Sequence, residues 1–128
     1  MLLRLQIFSG ALDPDALTHA KPLPKPRWKI VTVKEVVGSG ENRMELYPLR
    51  GASTERQYMV YFPEHRLLYA GVTLAMNDNG TLYDPELVYE VVQAAKRNHL
   101  QIETVFAMHQ PPMPWNQVVA LVEKAEHL

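Results

Sequence analysis

Among the five histidines of this 128-residue chain, His109 stands where chemistry is most readily done. It closes the run Thr104-Val105-Phe106-Ala107-Met108, which has strand composition, and Pro111-Pro112-Met113-Pro114 follows at once. A side chain at the end of a buried strand projects from the sheet edge towards a cleft, where imidazole suits metal ligation or proton transfer. The competing reading is a hydrogen-bonded strand-end histidine with no ligand. His19 lies in a proline-rich stretch, His65 in a hairpin turn, His99 at a helix end and His127 beside the C-terminus, and each reads as a solvated surface residue. No H-x-H, H-E-x-x-H or other paired spacing occurs, so local sequence builds no metal site.

A second polar cluster is the loop at residues 50–57, with two guanidiniums (Arg50, Arg56), two hydroxyls (Ser53, Thr54) and a carboxylate (Glu55). Such a set can take an anion or a polar ligand; equally, it is a solvated loop carrying an Arg–Glu pair. Gly38-Ser39-Gly40 lacks the spacing of a phosphate-binding loop, and no nucleophile elbow is present. Trp28 and Trp115 read as core or rim residues, and Tyr58, Tyr61 and Tyr69, at strand period, as packing residues rather than a stacking platform. The chain contains no cysteine, which removes disulfides, thiolate zinc sites and cysteine nucleophiles together.

These residues need elements to hold them. Residues 1–8 alternate weakly, as a strand or a short amphipathic stretch. Residues 9–27 hold Pro14, Pro22, Pro24 and Pro26 and read as an extended connector, with a helical turn near residues 15–19. From residue 28 the pattern is β: a strand over 28–35, a turn over 36–42, then strands over 43–49, 57–62 and 66–72. The last two are nearly all apolar, so both of their faces are expected to be covered. Asn77-Asp78-Asn79-Gly80 is a turn. Asp84-Pro85-Glu86 starts a helix, with a capping side chain, proline at the first position and an early carboxylate. A strand over 104–109, stopped by the prolines, precedes a final helix over 115–126.

The expected fold is therefore α/β (α+β), an antiparallel-to-mixed sheet covered by helices on at least one face, with an arm at 1–27 and a domain at 28–128. Thirteen Lys and Arg against fourteen Asp and Glu leave a net charge of −1, which implies no nucleic-acid surface. No apolar run approaches the ~20 residues of a membrane span. The apolar start of the chain, interrupted by Arg4 and Gln6, lacks the pattern of a signal peptide, so a cytoplasmic location is expected.

The stretch Tyr58-Met59-Val60-Tyr61-Phe62-Pro63-Glu64-His65-Arg66-Leu67-Leu68-Tyr69-Ala70-Gly71 resembles the C-terminal half of metallo-β-lactamase-fold proteins. There a hairpin of the form V-Y-x-P-x-x-x-L-L-x-x-x-D delivers a bridging metal ligand. The likeness runs on through the helix from Asp84 to Met108-His109, Pro111-Pro112 and a last helix, covering residues 28–127. It implies one half of an αββα sandwich and a metal-dependent hydrolase ancestry. The departures from the family pattern decide the expected activity. Nothing corresponds to the first metal motif, H-x-H-x-D-H. A histidine is implied near Ser53, and the bridging aspartate falls at Val72. Only His109 matches a ligand position.

Since zinc needs about three or four protein ligands, the expectation is a catalytically silent, half-size relative or C-terminal fragment of such a hydrolase. It would hold no cofactor and no catalytic residue, with His109 as its one matched metal position. The alternatives are a metal-dependent hydrolase completed by a second chain or an N-terminal segment, and a small-ligand or protein-binding module using the loop at 50–57. A half sandwich exposes an apolar face, so a homo-oligomer, most simply a dimer, is expected, with Met44, Leu46, Tyr58, Val60, Leu68 and Ala70 at the contact.

Overall fold

Short hairpins build the first part of the sheet, because β-branched and aromatic runs are punctuated by Gly-Ser-Gly and Pro-Glu-His turns. The structure is a computed structural model describing residues 22, 25–54 and 57–126. In it β1 (Glu35–Val37), β2 (Met44–Pro48), β3 (Tyr58–Phe62) and β4 (Leu67–Tyr69) pair antiparallel in chain order. Parallel strands need a crossover, and α1 (Pro85–Arg97) supplies it, so that β5 (Thr104–Ala107) joins β4 in parallel. β6 (Gln110–Pro114) returns along β5, and α2 (Trp115–Glu126) follows. The sheet is thus mixed, six-stranded and open, in the order β1-β2-β3-β4-β5-β6.

The Asp84 side chain accepts a hydrogen bond from Leu87 N at 3.3 Å, Pro85 stands at the first position, and Lys96 and Arg97 close the helix. His99, with φ at +52°, occupies the left-handed position just past α1.

Both helices lie on one face. Tyr47, Met59, Tyr61, Leu68 and Val105 are buried there against Val88, Val91, Val92, Val118 and Val122. On the opposite face Leu46, Val60, Tyr69 and Phe106 pair across successive strands and are only half-buried. The Tyr69 and Phe106 rings meet there, centroids 5.0 Å apart. Coverage of β3 and β4 on both faces, expected from their apolar composition, is therefore not what the described residues provide. Leu68 and Ala70 also change sides: Leu68 pairs with Tyr61, and both residues sit under the helices, fully buried.

Three further expectations are corrected. Residues 28–34 form no strand; pairing starts at Glu35, and Val36 and Val37, read as turn, oppose Glu45 and Met44. Residues 111–114 do not merely stop β5: they pair with it as an edge strand, Val105 opposite Met113. Proline is tolerated there because an edge strand needs donors on one side only. β4 ends at Tyr69 and β5 at Ala107, short of Val72 and His109.

The six-stranded sheet, α1 and α2 all belong to one compact unit that begins at Val31. The expectations for residues 1–8 and 15–19 lie outside the described residues. Among the described residues no helix is long and apolar enough to cross a membrane.

Candidate functional site

β4 and β5 are parallel, so their C-terminal ends lie side by side, and each strand turns immediately. The turn after β4 uses Gly71 at φ +65°, a left-handed conformation that glycine adopts without a Cβ clash. Met108 N donates to Gly71 O at 2.8 Å, joining the Gly71-Val72 turn to the Met108-His109 turn. β2 runs in the same direction as β4, since each is antiparallel to β3. The loop after β2, closed by a bond from Leu49 N to Gln57 O at 2.9 Å, therefore leaves from the same end of the sheet.

The three positions singled out by the resemblance, Ser53, Val72 and His109, thus gather at one sheet end. Only one of them is a good ligand. Ser53 and His109 are exposed, and Val72 is a 49% exposed hydrocarbon with no donor atom. His109 stands in the β5–β6 turn, with no side-chain hydrogen bond or ion pair among the described residues. Among the described residues no three His, Cys, Asp or Glu come together as a metal site. The residues present do not fit the metal centre that the resemblance implies, and no reaction step runs through one here.

The remaining histidines and aromatics serve structure. His65 Nε2–H donates to Glu41 O at 3.0 Å, tying the β3–β4 hairpin to the turn between β1 and β2. Tyr61 is buried and its hydroxyl donates to Gln101 O at 2.7 Å. Trp115 packs half-buried against the core. Trp28, read as core or rim, is instead 70% exposed. His19 and His127 lie outside the described residues.

A buried carboxylate, not anticipated from sequence, sits at the other end of β2. Glu45 is 6% exposed and receives the Tyr47 hydroxyl at 2.5 Å, Arg43 at 2.7 Å and Lys34 at 3.2 Å. Burial alone would push its carboxyl up, but the Tyr47 hydroxyl and the two cations outweigh that and hold it below the ordinary value. Burial, then the Glu45 charge, pushes the Tyr47 phenol up. The cluster reads as a structural pin between β1 and β2, with one buried donor, Arg43 Nε, left without a hydrogen-bond partner among the described residues.

The loop at 50–57 is divided by the fold. Thr54 is fully buried; its hydroxyl donates to Glu90 of α1 and accepts from Gly51 N at 3.2 Å. A Cβ at Gly51 would overlap the Glu90 carboxylate, so glycine is what lets this loop lie against α1. Arg50 and Gly51 then form one wall of a groove of about 730 Å³ between α1 and α2. Glu55 and Arg56, and with them the expected Arg–Glu pair, lie outside the described residues. This groove is on the helix layer, and one of its walls is the loop that leaves β2 at the same end of the sheet as the His109 turn.

No family model matches the sequence. No curated protein matches it either. Among solved structures, the chain is similar to the metallo-β-lactamase from Pontibacter korlensis, with 17% identity and a TM-score of 0.53 over 73% of this chain and 47% of that one. It is similar to TMB-1 at 17% identity and TM-score 0.54, covering 83% of this chain and 51% of that one. Similarity to the DIM-1 metallo-β-lactamase has 14% identity and TM-score 0.55, covering 82% and 52%. These likenesses define the fold as that of the C-terminal half of the metallo-β-lactamases. The chain spans about half the length of the structures it matches.

Proposed function

We propose that this chain is a catalytically silent, half-size counterpart of the metallo-β-lactamase-type hydrolases, acting through binding rather than turnover. The observation that carries the reading is the sheet end at His109. The Gly71-Val72 and Met108-His109 turns are joined by a backbone hydrogen bond, and Val72 and Ser53 stand where the resemblance implies metal ligands. One imidazole holds a catalytic metal poorly, and a valine gives no oxygen to bridge ions or orient water. The chain accordingly carries no resident metal and works as a folded scaffold in the cytoplasm.

A second copy of the chain is the proposed partner of the sheet face that carries Leu46, Val60, Tyr69 and Phe106. Among the described residues α1 and α2 are committed to the other face, and like apolar faces can meet about a two-fold axis. The rival reading, a hydrolase completed by another chain, draws on the exposed, unbonded His109.

Hydrolysis of a chromogenic β-lactam, a carboxylic ester and a phosphodiester, each with added zinc, separates the two. The silent reading predicts background rates for the wild type and no change in His109→Ala. A rate clearly above background that His109→Ala abolishes would establish the rival.

A further inference from the structure

Glu45 is the one buried carboxylate among the described residues, and the buried threonines, Thr54 and Thr73, do not titrate. It shares the helix face of β2 with Tyr47, opposite Val36 of β1 and Tyr61 of β3. The groups that face it are Lys34 just before β1, Arg43 just before β2, and the phenols of Tyr47 and Tyr61. Burial pushes both phenols up, so neither loses its proton in acid or at neutral pH. Over the acid range the charge that changes in this cluster is therefore the Glu45 carboxylate.

β1 draws little from apolar burial. It is three residues long, and Val36 and Val37 remain 43% and 42% exposed. Charge does more. Lys34 Nζ lies 3.2 Å from Glu45 Oε1 and 5.6 Å from the centre of the Tyr47 ring, which ties the residue leading into β1 down onto β2. Past its other end the chain turns at Gly38, with φ at +76°, where a Cβ would meet Asn42 O. His65 then holds that turn through Glu41 O. The strand is thus fastened at its start by a charge and at its end by a turn.

We infer that Lys34 and β1 form an acid-released strap: when Glu45 takes up a proton, β1 swings away about the Gly38 turn and β2 becomes the sheet edge, while β2 to β6, α1 and α2 stay folded. A carboxyl held below its ordinary value strengthens the attachment above its unfolded value, and that contribution is lost as pH falls through the folded one. The core beneath α1 and α2 is built from side chains such as Met59, Leu68, Val91, Val105 and Val118, which acid leaves unchanged. The Arg66–Glu103 pair is solvent-exposed, so its loss in acid costs little. Release bares the backbone groups that Met44, Glu45 and Leu46 present to β1, an edge of the kind that accepts another strand.

The test is amide hydrogen exchange of the isotope-labelled full chain, followed by NMR from neutral pH down through the carboxylate range. Protection of the β1 amides bonded to β2, corrected for the intrinsic pH dependence of exchange, should fall about tenfold as Glu45 is protonated. Amides of Leu68 and Val105 should stay protected at the same pH. Lys34→Gln should lower β1 protection about threefold to tenfold at neutral pH and move the acid midpoint up towards the ordinary carboxylate value. Glu45→Gln should lower it at neutral pH and abolish the acid response. Should that variant fail to fold, the wild type and Lys34→Gln decide the matter. Full β1 protection through the acid range would overturn the inference, as would β1 protection indifferent to Lys34→Gln. So would loss of β1, β4 and β5 protection at one pH, which is global unfolding, or an acid response retained in Glu45→Gln, which would assign it to another group such as His65.

Discussion

Leu67 and Leu68 are neighbours in β4 with the same side chain on opposite faces of the sheet, and truncating each measures how unequal those faces are. Leu68 is fully buried between Tyr61 and Val105 beneath the helices. Leu67, opposite Phe62 and Thr104, is half-buried on the face that carries no helix among the described residues. Leu→Ala removes about three carbons, each worth ~0.8 kcal/mol when buried. Leu68→Ala therefore loses about 2.4 kcal/mol of transfer energy and leaves a cavity, for a total of about 3–4 kcal/mol. For Leu67→Ala the transfer loss is roughly halved and no closed cavity forms, so about 1 kcal/mol is expected. Urea unfolding at low protein concentration reads both as shifts in midpoint at constant slope. Equal losses in the two variants would mean that the second face is packed within the single chain, and the one-sided sheet would be wrong. A Leu67→Ala cost that grows with protein concentration would instead report the proposed second copy.

Other consequences can be measured on the same material. Glu45 has a lowered pKa, so its contribution is present above the unfolded value and lost as pH falls through the folded one. Glu45→Gln should therefore cost about 1–2 kcal/mol at neutral pH and flatten the acid limb of stability; an unchanged acid limb would refute the role of the cluster. Asp84→Ala removes the α1 cap and should cost about 1 kcal/mol by thermal or urea unfolding. His99→Gly relieves a left-handed residue at the end of α1 and should stabilise by roughly 0.5 kcal/mol, the relief of Cβ strain exceeding the added chain entropy. Sedimentation should show mass rising above the monomer with concentration; a constant monomer mass would remove the second copy from the account.

Local signals made much of this architecture readable. Asp84-Pro85-Glu86 marks the start of α1 because a cap, a proline and an early carboxylate each favour that position. The α2 periodicity fixes Trp115–Glu126, and Pro63-Glu64-His65 marks the β3–β4 hairpin. What escaped depends on context. The prolines of β6 break any central strand, and only its place at the sheet edge permits them there. The apolar run over residues 66–72 offers no alternation from which to choose a face, and Leu68 and Ala70 lie under the helices rather than on the face expected for them. Glu45 alternates with apolar Met44 and Leu46 and would be read as solvent-facing; its burial rests on cations brought by Lys34 and Arg43. His109 was identifiable as a strand-end residue, and its neighbourhood with Val72 followed from parallel pairing of β4 and β5. The α1–α2 groove left no trace in local sequence, because it depends on the approach of Gly51 to Glu90.

The central claim is that the fold of a metal-dependent hydrolase half persists here without its metal. Elemental analysis of the full chain, incubated with zinc and then dialysed exhaustively, tests it most directly. The account predicts far less than one equivalent of zinc, iron or manganese per chain, with the same value for His109→Ala. One equivalent or more retained by the wild type and lost in His109→Ala would contradict it.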